Sequence, residues 1–337
     1  MQKLFHKIHL WLSVPFGIII TITCLTGAIL VLEPEITRAL RSEVYYVADA
    51  SGSVKPMEEL IATVKAEGPD SLTIANVTVF DDPRRTYQVN FTKRHSAALF
   101  IDQYSGKITG RYERFGFFTT MLHLHRRLLD NSTPADGGMR PGKLIVGIST
   151  LMLVVILITG VVLWWPRARR GLAHSLSIPV TSGWHRFWMG LHVAGGVYSL
   201  ILVLVMALTG LTWSFGWYRT AFYTCFGADD PRAPSPTSVT SATKSDTGAA
   251  MKPDFAREDG RKHGSAGKKK ADSEIKVINE AEAEHPQTFS RWVYAVHTGR
   301  FWGWVSRMLW VAGALLGASL PLTGYYIWIH RLRRKRH

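Results

Sequence analysis

Histidine is the residue type whose placement in this sequence could do chemistry. Four of the 13 histidines sit at matching positions of an internal repeat. His9-Leu10 is followed 17 residues later by Thr26-Gly27, and His192-Val193 is followed 17 residues later by Thr209-Gly210. The run Ile158–Trp164 (ITGVVLW) matches Leu322–Trp328 (LTGYYIW). Each of these runs is preceded by histidine: His123 and His125 before the first, His297 before the second. The chain therefore reads as a duplicated two-helix unit with one histidine per helix. A neutral imidazole is a metal ligand. Two imidazoles reaching into a bundle core from different helices are what a bis-histidine haem needs, one above and one below the iron. There is no Cys-x-x-Cys-His run, so such a haem is non-covalent and b-type. The only cysteines, Cys24 and Cys225, exclude a disulfide scaffold, a Cys-rich zinc module and a cysteine-ligated iron–sulfur cluster.

The elements that must position these histidines are apolar. Leu10–Leu32, Leu144–Trp165 and Met308–Ile329 hold no charged residue, and Phe187–Trp217 holds only His192 as an ionisable group. About 20 apolar residues cross a hydrocarbon core as a helix, so four transmembrane helices are predicted. All 25 acids fall in two windows, 14 in Glu33–Asp136 and 11 in Asp229–Glu284. A soluble enzyme has no reason to sort its acids this way. The net charge of +15 would suit a nucleic-acid binder, but the long uncharged runs would not. The first run exceeds a signal-peptide core and lacks a clear cleavage site, so it reads as a retained anchor. Lys3 and Lys7, the loop with Arg167, Arg169, Arg170 and Arg186, and the tail Arg331–Arg336 lie in acid-free stretches. Positive charge marks the cytoplasmic side. Both termini are expected there, with residues of roughly 33–120 and 218–295 outside.

Depth then sorts the histidines into two layers. His9 and His192 open helices 1 and 3 on the inner side. His125, or His123 in its place, and His297 open helices 2 and 4 on the outer side. His123 and His125 lie roughly 200° apart on a helix, so both cannot face one haem. His6 shares a face with His9, and His185 with His192; both read as peripheral alternates. His95, His174, His263, His285 and His330 read as solvated or interfacial.

The expected architecture is an all-α integral membrane bundle of four helices with a small α+β outer domain. Its parts are helix 1 (1–34), an outer domain (35–118), helix 2 with its preceding His segment (119–166), a basic loop (167–186) and helix 3 (187–217). An outer segment (218–296), helix 4 (297–330) and a basic tail (331–337) follow. In the outer domain, Pro56–Glu67 has a helical pattern ended by Gly68-Pro69. Leu72–Phe80, Thr86–Phe91, Ala97–Ile101 and Lys107–Tyr112 read as strands. The stretch 229–271 is polar and nearly free of aromatics, and reads as disordered. Ser273–Glu284 is expected to form a short helix.

These residues together resemble the PepSY-associated transmembrane family, whose characterised members include inner-membrane ferric-siderophore reductases. The opening Lys7-Ile8-His9-Leu10-Trp11-Leu12 is similar to the family's Leu-His-x-Trp-Leu start. Leu99–Tyr112 (LFIDQYSGKITGRY) resembles the end of a PepSY module, and Leu124-His125-Arg126-Arg127-Leu128-Leu129 follows it. Leu163-Trp164-Trp165-Pro166-Arg167 and Val296-His297-Thr298-Gly299-Arg300 complete the pattern along nearly the whole chain. The resemblance implies a multi-pass protein of the bacterial inner membrane with a periplasmic PepSY-like domain. It implies two non-covalent b-type haems with His9, His192, His125 and His297 as the axial set, and electron flow outward to a ferric chelate. The polar insert departs from a compact member.

The function expected is electron transfer from the cytoplasmic side to Fe(III) held by a siderophore or another chelate, releasing Fe(II). No Gly-rich dinucleotide fingerprint follows a strand, so the donor is quinol or a separate cytoplasmic flavoprotein rather than NAD(P)H. Outer-side Arg300, Trp302, Trp304, Trp217 and Tyr218 are candidates to meet a bulky anionic chelate, or to form an interfacial girdle. Membrane lipid is a partner and nucleic acid is not. A haem-free sensor whose PepSY module binds a peptide or protease is the rival reading. A permease is disfavoured, because no acid or lysine inside the spans would line a polar path.

Overall fold

The computed structural model describes residues 1–67, 73–92, 98–135, 137–232, 275–279 and 288–334. Four of its helices are long and apolar enough to cross a membrane: α1 (Gln2–Val31), α6 (Pro141–Ala168), α8 (Trp184–Ser214) and α11 (Gly303–Arg334). A helix satisfies its backbone hydrogen bonds internally, which lipid requires. The protein is accordingly a multi-pass membrane protein in contact with lipid. The four pack in a ring in which α1 touches α6 and α11, and α8 touches the same two; the short α7 (Leu172–Ser175) lies between α6 and α8 in the chain. α1 and α8, the first helices of the two repeats, thus lie diagonally across the bundle.

Small residues and buried hydroxyls set the close approaches. Gly17 of α1 lies where a Cβ would meet the Tyr325 hydroxyl at 2.6 Å. That hydroxyl donates to the Val14 carbonyl at 2.6 Å. Gly313 and Gly317 of α11 face Leu202 and Val203 of α8. Such small-residue faces let helices meet where lipid removes the hydrophobic drive to associate.

At one end of the bundle, here the sheet end, sits a small α+β unit. The short helices α2 (Glu33–Leu40) and α3 (Ser42–Tyr45) lead into it from α1. α4 (Met57–Glu67) precedes strands β1 (Ile74–Val79), β2 (Tyr87–Phe91), β3 (Ala98–Ile101) and β4 (Ile108–Arg111). Leu60 and Val64 of α4 pack on Val77, Val89, Leu99 and Ile101 from one sheet face. Phe100 faces the other way, onto Val44 and Tyr45. β3 is therefore buried along its whole length, covered on both faces. Glu33, 7% exposed, is held by Arg114 at 2.5 Å, and Arg307 of α11 pairs with Glu35. These two ion pairs tie the unit to the bundle.

The structure corrects two sequence expectations. The segment expected as a helix at Ser273–Glu284 is described only at 275–279, where it forms strand β5 (Lys276–Asn279). β5 pairs in parallel with β1, Val77 opposite Val277, and completes the order β4-β3-β2-β1-β5. The run Ile275-Lys276-Val277-Ile278 is rich in β-branched residues, and an open sheet edge outweighs the helical bias of the glutamates and alanines after it. Secondly, His125 and His297 do not open spanning helices. His125 rides on a separate helix, α5 (Gly116–Arg127), and His297 on α10 (Phe289–Thr298). The polar stretch expected to be disordered lies, from residue 233 on, outside the described residues, as do His95, His263 and His285.

β5 brings the second inter-helix segment onto the sheet built by the first, so both lie at one end of the bundle. Paired strands place their Cα atoms at disulfide distance. Val79→Cys with Asn279→Cys, in a Cys225→Ser background, is expected to crosslink under mild oxidation, joining the two peptides in a mass spectrum. Failure to join them, while single-cysteine variants fold normally, would remove β5 from the sheet.

Candidate functional site

Two pairs of facing imidazoles occupy the bundle. His9 of α1 faces His192 of α8 with ring centroids 6.3 Å apart and planes at 87°. His125 of α5 faces His297 of α10 at 6.2 Å and 59°. His9 and Thr26 are 17 residues apart on α1, which the helical rise converts to about 25 Å. The His9/His192 pair lies at the termini end and the His125/His297 pair at the sheet end.

One device holds all four rings. His9 Nδ1–H donates to the Ile156 carbonyl at 3.1 Å and lies 3.0 Å from Thr159 Oγ1. His192 Nδ1–H donates to Leu320 at 3.1 Å, with Thr323 Oγ1 at 2.9 Å. His125 Nδ1–H donates to Thr23 at 2.9 Å, with Thr26 Oγ1 at 3.3 Å. His297 Nδ1–H donates to Met206 at 3.0 Å, with Thr209 Oγ1 at 3.0 Å. The acceptor is always the carbonyl three residues before a threonine. A carbonyl only accepts, so the proton of the neutral ring is fixed on Nδ1 and the lone pair on Nε2.

After each threonine comes a glycine, and the ring lies against it. A Cβ at Gly160 or Gly324 would stand 3.5 Å from Cε1 of His9 or His192. At Gly27 or Gly210 it would stand 3.1 Å from Cε1 of His125 or His297. The Thr-Gly steps expected to serve helix packing therefore also seat histidines. Within each repeat the exchange is reciprocal: the first helix's histidine rests on the second helix's Thr-Gly step, and the sheet-end histidine rests on the first helix's step. The four Thr-Gly steps inside the apolar runs, one for each of the four repeat-placed histidines, were the available sequence signal.

None of the four Nε2 atoms has a hydrogen-bond partner among the described residues, and none is a sealed, partnerless atom. Each opens on space. On the short helices outside the spans, burial pushes the His125 imidazole below its usual range. Burial, with His125 nearby, takes His297 down to about 4. Both rings are neutral at pH 7 and able to ligate. Among the described residues, no three or more His, Cys, Asp or Glu side chains converge to hold a bare metal ion.

The backbone beside His125 is bent to present it. α5 ends on Leu128 and Leu129, with φ of 52° and 62°. A left-handed leucine costs about 1–2 kcal/mol. The bend is held by Leu128 N–H to the Leu124 carbonyl, Leu129 N–H to His123 and Asp130 N–H to Arg127. Asp130 then accepts from the Gly142 N–H at 2.8 Å, tethering the turn to the start of α6. α10 ends in the same way on Gly299, φ 71°, where no strain arises.

The other candidates fall elsewhere. His123 has no ring hydrogen bond and no ring contact among the described residues, while His125 has both. His6 Nε2 accepts from Arg331 at 3.0 Å. His185 stacks on His330, centroids 4.2 Å apart, and its Nδ1 is buried without a partner. Arg300 lies 5.8 Å from the Tyr294 ring centroid, and Trp302 and Trp304 are exposed. Trp217 is exposed too, with Tyr218 against its ring.

Residues 6–331 match the family described as PepSY-associated TM region. The chain belongs to that family. The match runs from before His9 to beyond His330, so all four facing histidines and their Thr-Gly seats lie within the family region. No curated protein matches the chain.

The glycine contacts differ between the layers, and so should substitutions. Gly27→Ala or Gly210→Ala must displace an imidazole by a few tenths of an ångström; Gly160→Ala or Gly324→Ala meets ordinary contact. The first two are expected to lower the unfolding temperature in detergent by several degrees, and the latter two to leave it within about 1 °C. Equal losses at all four would show that the rings do not rest on these glycines as described.

Proposed function

We propose that the protein is a transmembrane electron carrier. Each facing histidine pair ligates one non-covalent b-type haem, and electrons leave at the sheet end to reduce Fe(III) in a siderophore or another chelate, releasing Fe(II). The observation that carries this reading is the paired geometry with its free nitrogens. A metal about 2 Å from each of two opposed imidazole nitrogens puts the ring centroids roughly 6 Å apart, the spacing of both pairs. Two side chains do not hold a bare ion, but they suffice where a macrocycle supplies the other four ligands. Haem, when bound, supplies a one-electron couple at each end of the bundle.

The chain's own residues do the rest. The backbone carbonyls at Ile156, Leu320, Thr23 and Met206 keep the proton on Nδ1 and orient each ring. Such a bond also raises the basicity of the ligating nitrogen. Thr159 and Thr323 give their hydroxyl protons to the Ile156 and Leu320 carbonyls, and Thr26 and Thr209 give theirs to Ile22 at 2.7 Å and Val205 at 2.6 Å, which leaves each Oγ1 lone pair free to face the imidazole. Charge-free helices exclude water between the layers. Hard-oxygen chelators favour the higher charge of Fe(III), so one electron loosens the metal.

Sidedness follows in this reading from charge. The termini end carries basic, acid-free stretches and faces the cytoplasm. The sheet unit is then a periplasmic PepSY-like domain in a bacterial inner membrane. The donor is quinol or a cytoplasmic reductase.

Purified protein from haem-replete cells is expected to yield two haems per chain in a pyridine haemochrome assay, extractable with acid–acetone. His9→Ala and His192→Ala should each remove one spectral species and His297→Ala the other, about half the Soret absorbance each; His123→Ala should remove neither. Colourless protein would leave the haem-free sensor as the better reading.

Direction and substrate are tested by stopped flow. Dithionite-reduced protein mixed with ferric siderophore should reoxidise, with Fe(II) trapped by a ferrous chelator, at least tenfold faster than His297→Ala. In sealed right-side-out vesicles a membrane-impermeant ferric chelate should still accept electrons. Equal rates in wild type and His297→Ala would end the reductase reading.

A further inference from the structure

A cavity of about 260 Å³ lies at the sheet end, beside His297. It is lined by Thr212 and Trp213 at the end of α8, by Arg219 and Tyr223 of α9 (Gly216–Cys225), by Arg232, and by Ser290 of α10. Trp213 joins it to the histidine pair: the indole stands 5.2 Å from the His297 ring, centroid to centroid. Two of its lining residues, Pro231 and Arg232, are exposed to solvent.

The charge of this cavity is organised by one buried carboxylate. Asp230, with its side chain 3% exposed, accepts from Arg219 Nε at 2.8 Å, from Thr220 Oγ1 at 2.8 Å and from the Arg232 N–H at 2.9 Å. These donors, Arg219 first, hold the Asp230 carboxyl at about 2, so it stays ionised and neutralises Arg219. Arg219 is thereby fixed in orientation with its terminal nitrogens still available. The Arg232 guanidinium has no ion-pair partner among the described residues, so over those residues the lining together with Asp230 carries one positive charge in excess. A guanidinium beside a cavity and without a counter-charge of its own is best satisfied by an anion.

We propose that this cavity binds a carboxylate group, held by Arg232 and Arg219 and stacked against Trp213, at the His297 end of the electron path. The assignment rests on the carrier reading for its purpose, but not for its chemistry. Planar guanidinium groups match a carboxylate in a bidentate fork, which lysines would not. The volume is below that of a drug-sized pocket, so it takes one carboxylate arm of a larger ligand. The exposed mouth leaves the remainder outside. Two sources supply such a group: an incoming polycarboxylate iron chelate, or a side chain of the macrocycle held by His125 and His297. Arg300, Trp302 and Trp304, the sequence's candidates for the chelate, line no part of this cavity.

The test uses gallium(III) citrate, which has the charge of a ferric carboxylate chelate but is not reduced under these conditions. Haem content and midpoint potential are measured on the same samples. Wild-type protein in detergent is expected to bind the probe by calorimetry. Arg232→Gln, at an exposed position, should retain the wild-type unfolding temperature. Tenfold or weaker binding with full haem content assigns the cavity to the incoming chelate. Arg232→Lys should then recover only part of the affinity. Unchanged binding with lost haem, or a shifted midpoint potential, assigns it to the macrocycle's carboxylate. Arg232→Gln with wild-type gallium binding, haem content and potential would overturn the proposal. So would absence of probe binding in the wild type together with wild-type haem content and potential in the variant. Gallium binding requires no electron transfer, so it survives failure of the carrier reading, and a working reductase with an indifferent Arg232 would lose only the cavity.

Discussion

A buried imidazole must give its Nδ1 proton to something. That requirement organises the bundle. In lipid there is no water to take it, and an unpaired buried donor costs about 1–3 kcal/mol. All four facing histidines solve this by donating to a main-chain carbonyl of a neighbouring helix, three residues before a threonine. The carbonyl is within reach because glycine follows the threonine and removes the side chain that would hold the ring away. Helix spacing, ring orientation and tautomer are therefore one decision, made four times.

The ring order of the helices follows from it. His9 on α1 needs the Thr-Gly step of α6, and His192 on α8 needs that of α11, so these helices are neighbours. The two histidines then meet across the diagonal rather than along an edge. At the sheet end the same result needs extra helices, because the chain has left the bundle before it reaches His125 or His297. α5 and α10 return these side chains to the steps on α1 and α8. The left-handed Leu128 and Leu129 are the local cost of that return.

Much of this was legible in the sequence. Four uncharged runs announced the spans, and the matched His and Thr-Gly positions announced the duplication. The four strands and α4 were read to within a residue or two, because alternation and turn residues are local signals. Three things were not legible. A parallel partner for β1 lies some 200 residues away, and the short β-branched run at Ile275–Ile278 is followed by glutamates and alanines whose helical bias is the longer local signal. The breaks after His125 fall on Leu128-Leu129, where no glycine marks a left-handed turn; Gly299 after His297 did carry that mark. The choice between His123 and His125 depends on which face of α5 meets α1, which helical spacing alone leaves open. The cavity beside Trp213 depends on Asp230, a residue that composition assigned to a featureless polar stretch.

The parallel strand has a consequence for how the protein is made. β1 and its antiparallel partners emerge after the first spanning helix, but β5 belongs to the segment that follows the third. The edge of the sheet thus stays open while α6 and α8 are being inserted. It closes only when the second segment has arrived at the same side of the membrane. A chain whose α6 or α8 entered in the wrong direction would deliver β5 to the opposite face and leave β1 unpaired. Completion of the sheet therefore requires both segments to reach the same side of the membrane.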